Sequence, residues 1–330
     1  MISNNTIASG LTGFLVKMFR EMPLFYITIG FFVGSAIFVP FFFTPNNLIN
    51  LMLQSADIIV IACGLTFVLL NGSLDFSIPA VMGLGSILGA MVMNSNTGLM
   101  AGSPYATLVG VIIMLATGLG IGALNGFAVT RLKMPSFMAT MASYIVFIGI
   151  SLFLADSKTI SGLPAEFMFV GNGKAGVVPV PIIIAGIVLS VSVVVLRKTV
   201  FGRSIYAIGT NPKAAEISGL PVKRIVFTMF LICGICSAIG GIIASSRLGS
   251  GLPALGEERL FDFVTAVIIG GVSIFGGSGS VIGAALGGVF ITMLNNSLGM
   301  LGIKWFIIIL FKGVFLLVIA TLDAMRRFKN

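Results

Sequence analysis

Long apolar stretches, separated by short polar ones, run along almost the whole chain. They form ten segments, at 24–43, 48–70, 78–94, 105–129, 136–155, 179–196, 225–246, 260–275, 281–298 and 303–322. A helix rises about 1.5 Å per residue and a bilayer core is about 30 Å thick, so one crossing needs roughly 20 apolar residues. The pattern therefore predicts an all-α integral membrane protein with about ten transmembrane helices. An even number of crossings puts the N- and C-termini on the same side.

Basic residues gather on one side of this predicted topology. If the N-terminus lies inside, the outer side receives Lys158, Lys174, Arg247, Arg259 and Lys304. The inner side receives thirteen basic residues, namely Lys17, Arg20, Arg131, Lys133, Arg197, Lys198, Arg203, Lys213, Lys223, Arg224, Arg326, Arg327 and Lys329. Cytoplasmic loops of membrane proteins carry an excess of Lys and Arg. We therefore expect both termini to be cytoplasmic.

The composition narrows the class of protein further. The chain is 57% hydrophobic and 9% charged, whereas a soluble domain is about a quarter charged. The apolar segments leave no room for a soluble domain, so residues 1–330 are predicted to form a single transmembrane domain. The net charge of +9 comes from basic residues scattered between apolar segments, which indicates a topological signal rather than a nucleic-acid partner.

The sequence offers little for metal or redox chemistry. It contains no histidine, which removes the commonest proton shuttle and metal ligand. Cys63, Cys233 and Cys236 lie within apolar segments and are interpreted as reduced packing residues. Cys233 and Cys236 form a C-x-x-C pair, but no further ligand cluster accompanies it. We therefore expect no metal site.

Motifs of ATP-binding and hydrolytic enzymes are incomplete. The string at 171–174, G-N-G-K, resembles part of a phosphate-binding loop. Met168 stands where that motif has its first glycine, and Ala175 stands where it has Ser or Thr. Neither H-E-x-x-H nor G-x-S-x-G occurs. We therefore expect a chain that is not an enzyme and does not bind ATP or another cofactor itself.

Polar stretches and interruptions divide the apolar pattern. The outer stretch 156–178 is predicted to be an external loop or a short surface helix, and the inner stretch 197–224 is the most polar part of the chain. Glycine and polar residues also interrupt the pattern at 71–79 (NGSLDFSIP) and 270–283 (GGVSIFGGSGSVIG). Paired interruptions of this kind often mark internal repeats with broken helices near a transport path.

Polar side chains inside the apolar segments are candidates for a solute path, because ionisable groups at that depth usually face the protein interior or water. The candidates are Gln54, Asp57, Asn71, Asp75, Ser77 and Asn125. Asp57, one turn after Gln54, could hydrogen-bond a polyhydroxylated substrate, or it could bridge neighbouring helices. Asn71, Asn125, Asn295 and Asn296 could cap or bridge helices, or line the path. Asp262 is interpreted as the start of an interfacial helix, and Lys312 either pairs with an acid or extends to the interface.

Small residues recur four apart in two places. They are Gly118, Gly122, Gly126, Gly279, Gly283 and Gly287, and Gly85 and Gly89 add one more pair. This spacing lets helix backbones approach closely in lipid, where packing replaces the hydrophobic driving force. We expect these glycines to pack helices, with sliding between open states as the alternative.

Four stretches of sequence resemble a known family. The inner stretch 202–225 reads GRSIYAIGTNPKAAEISGLPVKRI, and the others are NGSLDFSIPAVMGLGS from Asn71, KMPSFMAT from Lys133 and VIIGGVSIFGGSGSVIG from Val267. They resemble permeases of ATP-binding cassette importers, in the branch for ribose, xylose, arabinose, galactose and autoinducer-2. The branch commonly has I-D-L-S-V-G where this chain has L-D-F-S-I-P, so Pro79 replaces a glycine.

The resemblance implies partners and a role for the inner stretch. Residues 197–224 would form the coupling loop that docks on the ATPase subunits, with Asn211, Pro212, Ala214, Ala215, Glu216, Ser218 and Gly219 as its central residues. Asn211 and Pro212 can begin a short helix that Gly219 ends, and its small face could fit a groove on the partner.

The wider assembly is also implied by the resemblance alone. Two ATPase subunits would use ATP, and a second permease subunit, identical or related, would complete the pathway in the bacterial inner membrane. An external binding protein would deliver a pentose or related sugar. A nucleoside or branched-chain amino acid permease, an ion-coupled secondary transporter and a membrane-embedded enzyme are the alternatives.

Overall fold

The computed structural model describes residues 23–328, and a helix lies within each of the ten apolar segments. The helices are α1 (Pro23–Phe38), α2 (Pro45–Leu70), α3 (Ile78–Met93), α4 (Ala106–Thr130), α5 (Ser136–Leu154), α6 (Ala165–Asn172), α7 (Val180–Lys198), α8 (Val200–Thr210), α9 (Pro212–Ile217), α10 (Val222–Leu248), α11 (Leu260–Ile269), α12 (Val281–Met300) and α13 (Trp305–Phe328). The chain is thus a helical membrane protein, as predicted. The inner charges Lys17, Arg20 and Lys329 lie outside the described residues.

The helices differ in whether they are long enough to cross a bilayer. Among residues 23–328, α2, α4, α5, α7, α10 and α12 have the length and hydropathy for a crossing, whereas α1, α3 and the stretch 305–314 of α13 are apolar but shorter.

The prediction of one helix over 260–275 is wrong in length. Helix α11 ends at Ile269, and ten residues rise only about 15 Å. Gly271, Gly276 and Gly277 then adopt positive φ, which ends the helical path.

The core is built around α2 and α10. In α2 the most apolar window is 83% buried, compared with 22% in α5 and α7. Helix α10 packs against α2, α3 and α4, and α12 packs against α2 and α11. The outward faces of α4, α5 and α7 carry exposed apolar side chains, as lipid-facing helices do.

Glycines bring α4 and α10 into close contact. A Cβ added at Gly118 would collide with the carbonyl oxygen of Gly234, and one at Gly122 would lie 2.6 Å from that of Phe230. A Cβ added at Gly126 would lie 2.9 Å from a ring carbon of Phe227 and 3.2 Å from its carbonyl oxygen. The three glycines thus form one seam, because a side chain at any of them would separate the two backbones.

The second glycine series is divided between a loop and a helix. In α12, added Cβ atoms at Gly283 and Gly287 would collide with the carbonyl oxygens of Gly270 and Ala266. Gly279 instead precedes α12, with φ of +137°, and lies against Val272. Gly279 therefore belongs to the loop after α11 and not to a helix face.

The outer stretch 156–178 is folded onto the helices. It contains the short helix α6 and the strands β1 (Ile160–Ser161) and β2 (Lys174–Ala175). Strand β1 pairs with β4 (Ser250–Gly251), which follows α10, and β2 pairs with β3 (Val178–Pro179) at the end of the stretch, both in antiparallel orientation. The main-chain N–H of Gly171 donates to Ser246 Oγ at 2.6 Å. This contact fixes α6 to the end of α10.

Candidate functional site

A polar cavity of about 600 Å³ lies among α2, α10, α11, α12 and α13. Its polar lining consists of Gln54, Arg247, Arg259, Asp262, Thr292, Asn295 and Asn296. Its apolar lining consists of Ile58, Gly299, Met300, Ile303, Trp305 and Ile308. Ligand pockets commonly have this mixture of apolar surface and a few converging polar groups.

Two arginines are held on the wall of the cavity. Arg259 donates to both carboxylate oxygens of Asp57, at 2.5 and 3.1 Å, while Arg247 donates to the carbonyl oxygen of Leu53 at 3.1 Å. Burial lowers the pKa of Arg259, but Asp57 and then Asp262 raise it, and the net effect is a pKa above its usual value. Asp57 is fully buried and the side chain of Arg259 is 25% exposed. The aspartate therefore lies behind the arginine that reaches the cavity.

A second ion pair in the wall involves Asp262 and Lys312. The ammonium group of Lys312 donates to Asp262 Oδ1 at 2.7 Å and lies 4.8 Å from the centre of the Trp305 ring. Asn295 Nδ2 donates to Asp262 Oδ2 at 3.0 Å. Of the two alternatives left open for Lys312, the structure shows pairing with an acid. Asp262 lies in the first turn of α11, so the expected helix start is confirmed, and its side chain is buried within the helix bundle.

Asn295 adds a free acceptor to this wall. Its Oδ1 is buried and accepts no hydrogen bond from the described residues. A buried acceptor without a donor costs about 1–3 kcal/mol, and a bound hydroxyl group could supply that donor. Asn296 is instead paired, since its amide and that of Asn47 exchange hydrogen bonds at 2.9 and 3.2 Å.

A separate polar cluster joins α3, α4 and α5. Ser143 donates to Asn125 Oδ1 at 2.5 Å, and Asn125 donates to Ser77 Oγ at 2.8 Å. Ser77 in turn donates to Asp75 Oδ1 at 2.6 Å. All four side chains are buried, and the bonds run in one direction from donor to acceptor. These hydrogen bonds connect the helices, and each of the four side chains has a partner within the cluster.

The candidate path residues therefore occupy three places. Gln54 lines the cavity, with Asp57 behind its wall. Asp75, Ser77 and Asn125 form the buried cluster. Asn71 follows the last residue of α2, where its side chain donates to Ser73 Oγ at 3.1 Å.

The sequence did not predict Arg247, Arg259 or Asp262 as site residues, since basic and acidic residues near segment ends are usually topological or interfacial.

The inner stretch contains the short helix that its sequence predicts. Asn211 accepts a hydrogen bond from the main-chain N–H of Ala214 at 3.0 Å, Pro212 begins α9, and Gly219 follows it with φ of +83°.

The small face expected on α9 is divided, because Ala214 is exposed but Ala215 packs against the core. Glu216 and Ser218 are also exposed. Ile217, which the sequence search missed, is 89% exposed.

Helix α8 connects this region to both glycine interruptions. The main-chain N–H of Gly277 donates to the carbonyl oxygen of Leu70 at 2.8 Å. A Cβ added at Gly276 would lie 2.6 Å from the nitrogen of Gly72, so the two interruptions touch. A Cβ added at Gly209 of α8 would collide with the same carbonyl oxygen and lie 2.5 Å from the nitrogen of Gly277. The hydroxyl of Tyr206 donates to the carbonyl oxygen of Gly279 at 3.0 Å. Helix α8 thus contacts the end of α2 and the loop between α11 and α12 directly.

These features define a helical, multi-pass membrane protein with a polar cavity and an exposed short helix between α8 and α10. Residues 47–320 match the family described as the branched-chain amino acid transport system / permease component, and the chain belongs to that family.

Several curated proteins are similar to the chain over most of its length. The ribose import permease protein of Bacillus subtilis (strain 168) is 38% identical over 304 residues, which cover 89% of this chain and 92% of that protein. The ribose import permease protein of Escherichia coli (strain K12) is 31% identical over 288 residues, which cover 86% of this chain and 87% of that protein.

A more distant relative transports another pentose. The xylose transport system permease protein of Haemophilus influenzae is 29% identical over 349 aligned positions, with 87% of this chain and 91% of that protein covered. No solved structure matches the chain at a significant level. These similarities confirm the resemblance to the permeases of ATP-binding cassette sugar importers.

Proposed function

We propose that this chain is the permease subunit of an ATP-binding cassette importer, and that it forms the membrane pathway for a pentose or a related sugar. The observation that carries the proposal is the 38% identity to a ribose import permease over 89% of the chain. ATP would be bound and hydrolysed by separate subunits.

The chemistry of the cavity supports a polyhydroxylated substrate. Gln54 and Asn295 offer amides that donate and accept hydrogen bonds, and Arg247 and Arg259 offer donors. The ring of Trp305 offers an apolar surface for the C–H face of a sugar. A branched-chain amino acid would leave much of this polar wall without partners, which is costly in a buried site.

The proposed topology has ten crossings with both termini in the cytoplasm of a bacterial cell. The excess of Lys and Arg on one side supports it. Helix α11 covers about half of the bilayer core, and the loop 270–280 would complete that crossing inside the protein. Non-helical backbone is tolerated at such depth where protein covers it.

We further propose that α9 docks on the ATPase. Ile217 is a large apolar side chain exposed on a helix in the most basic and polar stretch, and such a side chain is typical of a contact that a partner covers. Because α8 touches the ends of both interruptions, motion at α9 could reach the pathway through it. A second permease subunit and an external binding protein would complete the assembly.

Uptake into vesicles tests the proposed function. Vesicles that contain this chain, its ATPase and its binding protein should accumulate ribose, xylose or allose from a panel that includes nucleosides and leucine, and only when ATP is supplied. Uptake of leucine alone would reassign the substrate. Uptake that follows an ion gradient without ATP would contradict the importer class.

Substitutions in α9 test the docking assignment. Ile217→Asp should lower ATP-dependent uptake about tenfold or more, because burying an isoleucine is worth about 1.5–3 kcal/mol. Ala214→Arg should act in the same direction by steric blocking. Val200→Asp, an exposed apolar residue at the start of α8, is the control for a new surface charge. Equal uptake by Ile217→Asp and the original chain would exclude docking through this helix.

A further inference from the structure

A second cavity, of about 690 Å³, lies where the end of α4 meets the start of α10. Its lining includes the basic residues Arg131, Lys223 and Arg224 and the phenyl rings of Phe127 and Phe227. All three basic side chains are exposed. The cavity thus places positive charge next to aromatic surface, on the side of the protein that the charge pattern assigns to the cytoplasm.

Among residues 23–328, no ion pair involves the three basic residues of this cavity, and Glu216 on α9, the acid nearest to Lys223 in the sequence, is exposed and forms no ion pair. The sequence contains no Asp or Glu from 76 to 155 or from 217 to 256, so α4, α5 and α10 carry no carboxylate. Within residues 23–328 the ion pairs use other bases, namely Lys158, Arg259 and Lys312. Three like charges at one cavity repel one another, and an anion from outside the chain would relieve that repulsion.

The surface beside the cavity indicates what kind of anion fits. From Phe127, which is 52% exposed, α4 continues outward with further exposed apolar side chains at Leu124, Leu119 and Ile112. They extend over about 22 Å, at about 1.5 Å per residue. This length of lipid-facing surface would accommodate an acyl chain, whereas a soluble anion would use only the basic end.

We propose that Arg131, Lys223 and Arg224 bind the phosphate of an anionic phospholipid from the cytoplasmic leaflet, with an acyl chain lying along α4 past Phe127. Basic pockets between transmembrane helices on the cytoplasmic side bind anionic headgroups through such charge complementarity. The guanidinium groups supply paired donors to phosphate oxygens. The proposal depends on the orientation of the chain in the membrane but not on the solute that it carries.

Fluorescence quenching by brominated lipids tests this site directly. The chain has one tryptophan, so Trp305→Phe with Phe127→Trp places a single reporter at the cavity. The full-length protein is reconstituted in phosphatidylcholine vesicles with equal mole fractions of brominated phosphatidylglycerol or brominated phosphatidylcholine. We expect phosphatidylglycerol to be preferred about tenfold or more, since each base near the surface contributes about fivefold.

Charge removal separates this site from general attraction to a basic protein. Arg131→Gln with Arg224→Gln should remove most of the preference for phosphatidylglycerol. Lys198→Gln with Arg203→Gln removes the same charge from exposed positions on the same side and should leave the preference intact. Because the assay involves no transport, a failure here is distinct from a failure of the proposed function.

Three results would overturn the lipid assignment. Equal quenching by the two brominated lipids would mean that the cavity does not select anionic headgroups. A preference that both double variants retain would mean that the charge acts elsewhere. Displacement of phosphatidylglycerol by inorganic phosphate, or by the ATPase subunit at equimolar amounts, would assign the cavity to a soluble anion or to the partner protein.

Discussion

Two buried polar clusters in this protein use similar side chains in opposite ways. Around Asn125, hydrogen bonds run from Ser143 of α5 to Asn125 of α4, then to Ser77 at the start of α3, and end at Asp75 two residues before it. Around Asp262, two donors satisfy the carboxylate, but Asn295 Oδ1 still lacks a partner and several neighbours face a cavity. In the first cluster, the polar side chains hydrogen-bond to one another and hold the helices together. The second leaves the Oδ1 atom of Asn295 without a hydrogen bond from the described residues.

The difference teaches how to separate structural from functional polar residues in a membrane core. Burial is similar, because Asp75 and Asp262 are both almost inaccessible. What differs is the balance of donors and acceptors, since an unsatisfied buried group is costly unless something else compensates. Variants of the first cluster should therefore change stability, and variants of the second should change uptake.

The largest expected effect is that of Asn125→Leu. The substitution leaves the hydroxyl of Ser143 without its acceptor and removes the link to Ser77, so the free energy of unfolding should fall by about 2–3 kcal/mol. Thermal unfolding in detergent measures this change. Thr117→Val is the control on the same helix, because the hydroxyl of Thr117 donates to the carbonyl oxygen of Ile113, four residues earlier on α4. If uptake per folded molecule fell as well, the cluster would belong to the pathway.

The glycine seam between α4 and α10 should give the next largest effect. Gly118→Ala places a Cβ against the carbonyl oxygen of Gly234 and should lower the free energy of unfolding by about 1–3 kcal/mol. Gly120→Ala on the same helix meets no atom within 4 Å. The control should be neutral or stabilising by about 0.5–1 kcal/mol. Similar stability of the two variants would mean that the helices separate easily.

The smallest expected effect is that of Gln54→Ala in the cavity. Loss of one hydrogen bond to a sugar, worth about 0.5–1.5 kcal/mol, should raise the apparent KM for uptake by about two- to tenfold. The melting temperature should stay the same. Met52→Ala, an exposed residue two positions earlier, is the matched control. A change in melting temperature without a change in KM would place Gln54 with the structural cluster.

Local signals explain which parts of the fold were predictable. Helices α2, α4, α5, α7, α10 and α12 lie in long apolar segments, where the bilayer demands internally bonded backbone. The turn after α9 was predictable because Asn211, Pro212 and Gly219 act within a few residues. The end of α11 at Ile269 was not, because Ile274 and Phe275 extend the apolar pattern although the glycines around them bend the chain.

The candidate site was less accessible to sequence reasoning, because it is assembled from residues far apart in the chain. Gln54 was predicted as a path residue and lines the cavity. Asp75, Ser77 and Asn125 were predicted for the same reason, as polar residues within apolar segments, but they lie in the other cluster. Arg259 was read as an outer charge because it stands near a segment end. Its distance to Asp57 depends on how the turn before α11 packs on α2.

The sequence by itself determined the membrane class, the helical segments, the inner helix α9 and the family. These follow from apolar length, local capping and order of motifs, all of which act along the chain. Only the tertiary structure decided that Asp262 pairs with Lys312, that Ala215 is turned inward while Ile217 is exposed, and that the two interruptions meet under α8. Each of these depends on contacts between distant segments, and no pattern along a single helix encodes them.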